Sequence, residues 1–255
     1  MRAPAWTFLP LLLLAAGCAT APAPAPAGAP ATPPGAAATT TPGAVAPEEL
    51  TDDVRWVLSS AEYRAAVWQA FDLATERVEE LAAGRQPGTW AVSVDADETL
   101  IGNVQYEVER HGHPVEFDPT AWTEWVQRRQ AIALPGARQF AARVRELGGK
   151  VVVVTNRKDF EAADTEANLK ALGLPYDLLL PRTAEGDKEG RWEAVAAGTA
   201  APGVPPLEIV LWVGDNIQDF PHLDQKLAQA PETALAPFGD RFILVPNPMY
   251  GSWKD

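Results

Sequence analysis

Only one cysteine, Cys18, occurs in 255 residues. A single thiol excludes any intrachain disulfide, so the fold must hold without covalent cross-links. Positive charge is scarce as well: 21 Lys and Arg face 34 Asp and Glu, for a formal net charge of −13. A surface of that sign repels polyanions, which argues against a DNA or RNA backbone as partner. Small anionic substrates stay within reach, provided cations are gathered locally. The apolar run at the N-terminus, Trp6 to Ala16, is broken by Thr7 and Pro10 and is too short to cross a bilayer. What the chain does have is an apolar share of 47%, enough to bury a core. Its length fits one large domain or two modest ones.

A lone thiol ordinarily suggests a reducing compartment, but the N-terminus argues for export. Arg2 followed by the short apolar run reads as a signal peptide over residues 1–17. The run ends in Leu14-Ala15-Ala16-Gly17-Cys18, which resembles the bacterial lipobox, with Ala15 where Leu is commoner. That resemblance implies cleavage before Cys18 and acylation of its thiol, which leaves no free thiol to conflict with export. Ala19 at the next position then points to the outer membrane. Simple secretion with an incidental cysteine is the alternative. Residues 18–50 are largely Ala, Pro, Thr and Gly, too poor in large apolar side chains to fold, and form an extended tether.

The folded region is expected over 51–255. Asp53 to Ala83 has helical periodicity, with Val67, Ala70, Phe71, Ala74, Val78 and Leu81 on one face; Ser59 with Glu62 forms a capping box that starts the longer helix, and Gly84 ends it. Beyond Pro87-Gly88 the pattern changes to short β-branched or Leu-rich runs: Trp90–Val94, Lys150–Val154, Asp177–Leu180, Glu208–Val213 and Phe242–Val245. Helical stretches such as Ala137–Leu147 and Phe160–Leu172 separate them. This alternation predicts an α/β fold, a Rossmann-like parallel sheet with helices on both faces, preceded by N-terminal helices. Trp56, Trp68, Trp90 and Trp212 are assigned to its core.

Three strand ends carry the polar residues: Asp95-Ala96-Asp97-Glu98-Thr99, Thr155-Asn156-Arg157 and Gly214-Asp215-Asn216-Ile217-Gln218-Asp219. Ligands of open parallel sheets bind at the carboxyl ends of strands, so the three describe one crevice. Carboxylates crowded beside a core are costly without a cation. Asp95, Asp97, Asp215 and Asp219 therefore predict a hard divalent ion on oxygen ligands, Mg²⁺ first among them. A phosphate would complete the charge balance, bound by Thr155, Asn156 and Lys188. Taken alone, Lys188 reads as a solvated surface lysine.

The four motifs resemble those of the haloacid dehalogenase superfamily: Asp-x-Asp-x-Thr at 95–99, Thr155, Lys188 and Gly-Asp-x-x-x-Asp at 214–219. Further segments are similar to class C acid phosphatases, the bacterial lipoprotein 5′-nucleotidase group. They include Ser60 to Ala65, Trp122-Thr123-Glu124-Trp125, Pro135-Gly136-Ala137 and Val245 to Trp253. The resemblance implies that Asp95 is the phosphate-accepting nucleophile and Asp97 the acid and base. It implies that Mg²⁺ is held by Asp95, the Asp97 carbonyl and Asp215, with Asp219 in direct or indirect support. A cap insertion over about 102–134 would close the site. There Gly102-Asn103-Val104-Gln105-Tyr106 departs from the family's usual Asp-Asn-Ser-Pro-Tyr, which leaves substrate range more open than chemistry. Trp122 and Tyr250 lie in segments the family uses around its pocket and are candidates for stacking a nucleobase.

The expected activity is Mg²⁺-dependent hydrolysis of phosphomonoesters, nucleoside 5′-monophosphates in particular, with the membrane met only through the lipid anchor. The sequence does not settle an oligomeric state. Two alternatives stay open: a phosphatase of non-nucleotide esters, and a non-catalytic surface-binding lipoprotein on a phosphatase fold. Arg110-His111-Gly112-His113-Pro114 partly matches a histidine acid phosphatase signature but lacks its second Arg. His111 and His113 are read as exposed cap residues, and His222 as a packing or surface residue.

Overall fold

Val151-Val152-Val153-Val154 divides itself between two cores. Val151 and Val153 join one buried cluster with Phe71, Val78, Phe140 and Leu169, while Val152 and Val154 join another with Trp192, Val195 and Ile209. The period-two geometry of a strand makes this division, and it requires cover on both faces. A computed structural model describes residues 49–113, 117–183 and 188–254. The signal peptide, Cys18 and nearly all of the tether lie outside the described residues.

The helices and strands follow in chain order as α1 (Asp52–Ser59), α2 (Ala61–Ala82), β1 (Trp90–Val94), β2 (Ile101–Gly102), α3 (Val104–Arg110), α4 (Pro119–Arg128) and β3 (Ile132–Ala133). Then come α5 (Ala137–Glu146), β4 (Lys150–Lys158), α6 (Ala162–Ala171), β5 (Leu178–Arg182), α7 (Glu189–Ala197), β6 (Glu208–Gly214) and β7 (Phe242–Leu244). The main sheet has the order β5-β4-β1-β6-β7, with every neighbouring pair parallel. β2 and β3 form a small antiparallel pair, and the chain between them carries α3 and α4. This is the expected α/β architecture.

The structure corrects the expected elements at several points. The expected N-terminal helices divide at Ser60, which adopts an extended conformation and accepts the Tyr63 N–H at 3.0 Å. The N-cap is thus Ser60, one residue beyond the expected Ser59. Trp68 is 49% exposed instead of buried, because the stripe Tyr63, Val67, Phe71, Ala74, Val78 passes beside it. β4 runs four residues past Val154, because Lys158 still pairs with Arg182 on β5. That extension carries the strand through Thr155-Asn156-Arg157 into the crevice above the sheet.

Candidate active site

β1 sits at the centre of the sheet, and Asp95 follows directly at its carboxyl end. The Asp95 N–H donates to the Val213 carbonyl of β6 at 3.0 Å, which fixes the residue at the mouth of the sheet. Lys188, at the start of α7, is buried, and its ammonium donates to both Asp95 and Asp219, the latter at 2.7 Å. It is therefore no surface lysine. Gly214 permits this approach, since a Cβ there would collide with the Asp219 side chain. Asp219 also accepts the Asn216 N–H at 2.9 Å. Asp215 accepts from the Thr99 hydroxyl at 3.1 Å and from Asn247 Nδ2 at 2.8 Å.

Carboxylate oxygens of Asp95, Asp215 and Asp219 lie within 4.8 Å of one another. One ammonium among three carboxylates leaves negative charge uncompensated. Burial, aided by Asp219 and Asp97 and opposed by Lys188, pushes the Asp95 carboxyl up to about 7. Burial and the charges of Asp219 and Asp95 likewise raise Asp215 well above the ordinary carboxylate range. For Lys188, burial works toward the neutral form, but Asp219 and Asp95 hold its pKa above the ordinary value. Such a group of oxygen donors, short of positive charge, is suited to a hard divalent cation.

Asp97 stands apart from that cluster. Arg157 Nε donates to both Asp97 oxygens at 3.0 Å, and Arg157 Nη2 donates to Oδ1 at 2.7 Å. Asn103 Nδ2 donates to the same Oδ1 at 2.8 Å. Oδ1 thus accepts from three donors and Oδ2 from one. The Asn103 Oδ1 in turn accepts from the Trp125 indole at 2.8 Å, which ties the assembly to α4. Glu98, buried with φ of 52°, turns the chain from β1 toward β2 and accepts the Asn103 N–H at 2.6 Å. Burial, then the charge of Asp97, raises the Glu98 carboxyl well above its ordinary value.

The remaining candidates line the surroundings unevenly. Thr155 is buried, and its hydroxyl accepts the Arg157 N–H at 3.1 Å. Asn156 is exposed at the cavity wall and accepts from Arg191 at 2.9 Å. A cavity of about 830 Å³ opens over Asp95, Asp97, Lys188, Asp215 and Asp219. Trp122 and Tyr250 both line it, with Tyr106 set edge-on to Trp122 at 5.2 Å. Trp125, by contrast, is fully buried. His111 is half-buried and His113 exposed at the cavity's edge, while Pro114 lies outside the described residues. His222 is a surface residue 3.2 Å from Glu189.

Sequence reasoning placed Thr99 and Arg157 at the crevice without giving either a partner, and it missed Asn103 and Asn247 as parts of this assembly. A signal existed for Arg157: on a strand it shares a face with Thr155, two residues before it.

Comparison with known proteins agrees with this fold. The class C acid phosphatase of Bacillus anthracis superposes with a TM-score of 0.70 at 28% identity, covering 82% of this chain and 87% of that one. A tungstate-bound structure of the same enzyme gives 0.69 at 29% identity, over the same shares. Acid phosphatase 1 of Solanum lycopersicum is 30% identical over 128 residues, half of this chain and 49% of its own. A stem 31 kDa glycoprotein of Glycine max is 40% identical over 78 residues, 30% of each chain. The chain thus spans about half or less of the length of these curated relatives. The family model described as HAD superfamily, subfamily IIIB (acid phosphatase), matches residues 34–253. With that match running from the tether through every motif of the crevice, the chain belongs to subfamily IIIB of the HAD superfamily, the acid phosphatases.

Proposed function

We propose that this chain is an Mg²⁺-dependent acid phosphatase that hydrolyses phosphomonoesters, nucleoside 5′-monophosphates among them, through an aspartyl-phosphate intermediate. The observation that carries the reading is buried Lys188 between Asp95 and Asp219, with Asp97 held separately by Arg157 beside the same cavity.

Asp95 attacks phosphorus through a carboxylate oxygen, and the bond to the ester oxygen breaks. The departing oxygen takes its proton from Asp97, carried at Oδ2, the less occupied of its two oxygens. A water then attacks the phosphorus of the acyl phosphate and gives one of its own protons to Asp97, which restores the acid. The Asp95–phosphate bond breaks and inorganic phosphate leaves. Lys188 supplies fixed positive charge to the phosphoryl oxygens and orients Asp95. Asp95, Asp215 and Asp219, with the Asp97 carbonyl, would hold Mg²⁺, which when bound offsets the charge of carboxylates and phosphoryl group. Tyr250 and Trp122 line the cavity where a base would stack, with the Arg157 guanidinium 5.4 Å over the Trp122 ring. The lipobox-like Leu14 to Cys18 supports export and lipid anchoring, at the outer membrane.

Turnover of p-nitrophenyl phosphate in Mg²⁺ tests the reading, with Asp95→Asn as control. No turnover by the wild type, or full turnover by Asp95→Asn, would favour a binding protein on the same fold.

A further inference from the structure

The far end of the cavity holds an arrangement that phosphoryl transfer at Asp95 does not use. Lys158 and Arg182 are register partners across β4 and β5, and both line the cavity. Like charges placed directly opposite on paired strands repel, and each such pair destabilises a sheet. Among the described residues no ion pair offsets the repulsion directly. No carboxylate of the described residues forms an ion pair with either cation, and the Lys158 ammonium stands 5.5 Å from the centre of the Phe160 ring. The buried Glu161 carboxylate accepts the Thr123 hydroxyl at 2.9 Å and the Lys158 N–H at 2.8 Å but forms no ion pair with the Lys158 ammonium. Both cations are half-buried, and they stand on a protein whose net charge is −13.

Their placement relative to Asp95 sets the size of what they could bind. β4 is next to β1, and β5 lies one strand further out. At about 4.8 Å per strand, the pair stands roughly 5–10 Å to the side of the β1 axis. Val94 is level with Val153, so Asp95 is level with Val154 and Lys158 lies four residues further up β4. Those four residues match only two on β5, Leu180 to Arg182, so β4 bulges there and the rise is about 7–13 Å along the strand. With both residues lining the cavity, an anion held between their long side chains would stand about 10 Å from the phosphate at Asp95.

We infer that Lys158 and Arg182 form a second anion subsite, which selects phosphomonoesters carrying another phosphate about 10 Å from the scissile one. This deepens the phosphatase reading and rests on it. An extended bisphosphate would seat one phosphate at Asp95 and Lys188 and the other between the two paired cations. Their repulsion in the free protein is relieved on binding, so the second phosphate adds charge-assisted hydrogen bonds without breaking any ion pair. The strongly acidic protein as a whole repels a more highly charged substrate, so a preference for the bisphosphate requires a local site.

The test compares hexane-1,6-diol bisphosphate with hexyl phosphate in kcat/KM, after halving the bisphosphate value for its two equivalent ends. The wild type should favour the bisphosphate by about tenfold or more, the scale of one or two charge-assisted bonds. Propane-1,3-diol bisphosphate, too short to reach, should show no such advantage over propyl phosphate. In the double variant Lys158→Gln/Arg182→Gln the hexanediol ratio should fall to about one, with a melting temperature that certifies folding. A wild-type ratio near one, or a ratio unchanged in the folded double variant, overturns the subsite. Failure of the wild type to hydrolyse hexyl phosphate at all overturns the phosphatase reading instead, and the subsite falls with it.

Discussion

Arg157→Met is the perturbation that best separates catalysis from support. Methionine keeps an unbranched side chain of comparable reach and removes the guanidinium. Lost with it are the hydrogen bonds to both Asp97 oxygens, to Asn103 Oδ1 at 3.3 Å and to the Thr165 hydroxyl at 3.1 Å. Removing one partner of a buried ion pair costs about 3–5 kcal/mol. The Asp97 side chain is 16% exposed and keeps Asn103, so water recovers part of that loss. A net cost of about 2–3 kcal/mol is expected, or roughly 4–12 °C in Tm for a domain of this size. The kinetic effect is expected to be larger and specific. Asp97, no longer held from one side, should deliver its proton poorly, and positioned proton transfer is worth ~10²–10⁴-fold. The assay must isolate the first displacement, since the water attack needs Asp97 whatever the ester. In single turnover, alcohol release from an alkyl phosphate should slow by about 10²-fold. Release of p-nitrophenolate, which departs without a proton, should slow only a few-fold by the same reasoning. Equal slowing of both esters in the folded variant would show that Arg157 supports the whole pocket and does not act through Asp97.

Other expectations follow from the same geometry. Asp95→Asn should abolish single-turnover release of either leaving group, because an amide cannot accept the phosphoryl group. The Asp95 carboxyl is raised from an ordinary 3.8 to about 7 in the metal-free protein. Between those values the folded state keeps a proton that the unfolded chain releases, so metal-free stability should fall as pH rises from about 4 to about 7. Bound Mg²⁺ reverses that loss, so the rise in Tm on adding Mg²⁺ should be larger at pH 8 than at pH 5; an equal rise would refute the carboxylate site. Gly214→Ala should cost about 1–3 kcal/mol by driving Asp219 away from Lys188, read in chemical denaturation. Tyr250→Ala should lower kcat/KM for AMP by about ten- to a hundred-fold but spare glycerol phosphate, which has no ring to stack. Equal losses on the two substrates would place Tyr250 in the core alone.

The sheet was legible because its signals are local. The strand runs are short, β-branched and bounded by turn residues, and a parallel sheet covered on both faces needs no more than that. The boundaries that shifted did so where tertiary pairing overrides propensity. Lys158 would not be chosen as a strand residue from its neighbours in sequence, and only Arg182 across the ladder keeps it there. Trp68 was misplaced for a related reason. A large aromatic on an amphipathic helix invites a core assignment, but the phase set by Val67, Phe71 and Ala74 turns it outward.

The candidate site divides along the same line. Asp95 and Asp215 stand just past the ends of parallel strands, and Thr155 just past the part of β4 that pairs with β1, so adjacency in the sheet brings them together once the strands are identified. Lys188 needed more, because nothing in its surroundings distinguishes a buried cation from a solvated one; Asp95 and Asp219 make the difference, 93 and 31 residues away in sequence. The groups that hold Asp97 were hidden more deeply. Arg157 reaches it from β4, Asn103 from the chain after β2, and Trp125 fixes Asn103 from α4. No spacing rule connects three residues whose meeting depends on how α3 and α4 fold over the sheet. Nucleophile and metal-facing carboxylates are thus placed by the sheet itself, while the acid and base is placed by the chain that covers it. That division carries a consequence for specificity: changes in the segment between β2 and β3 reach Asp97 through Asn103 and Trp125 as readily as they reach the substrate. Substrate choice and proton transfer in this chain are therefore physically coupled, and substitutions made in α4 to alter the first should also alter the second.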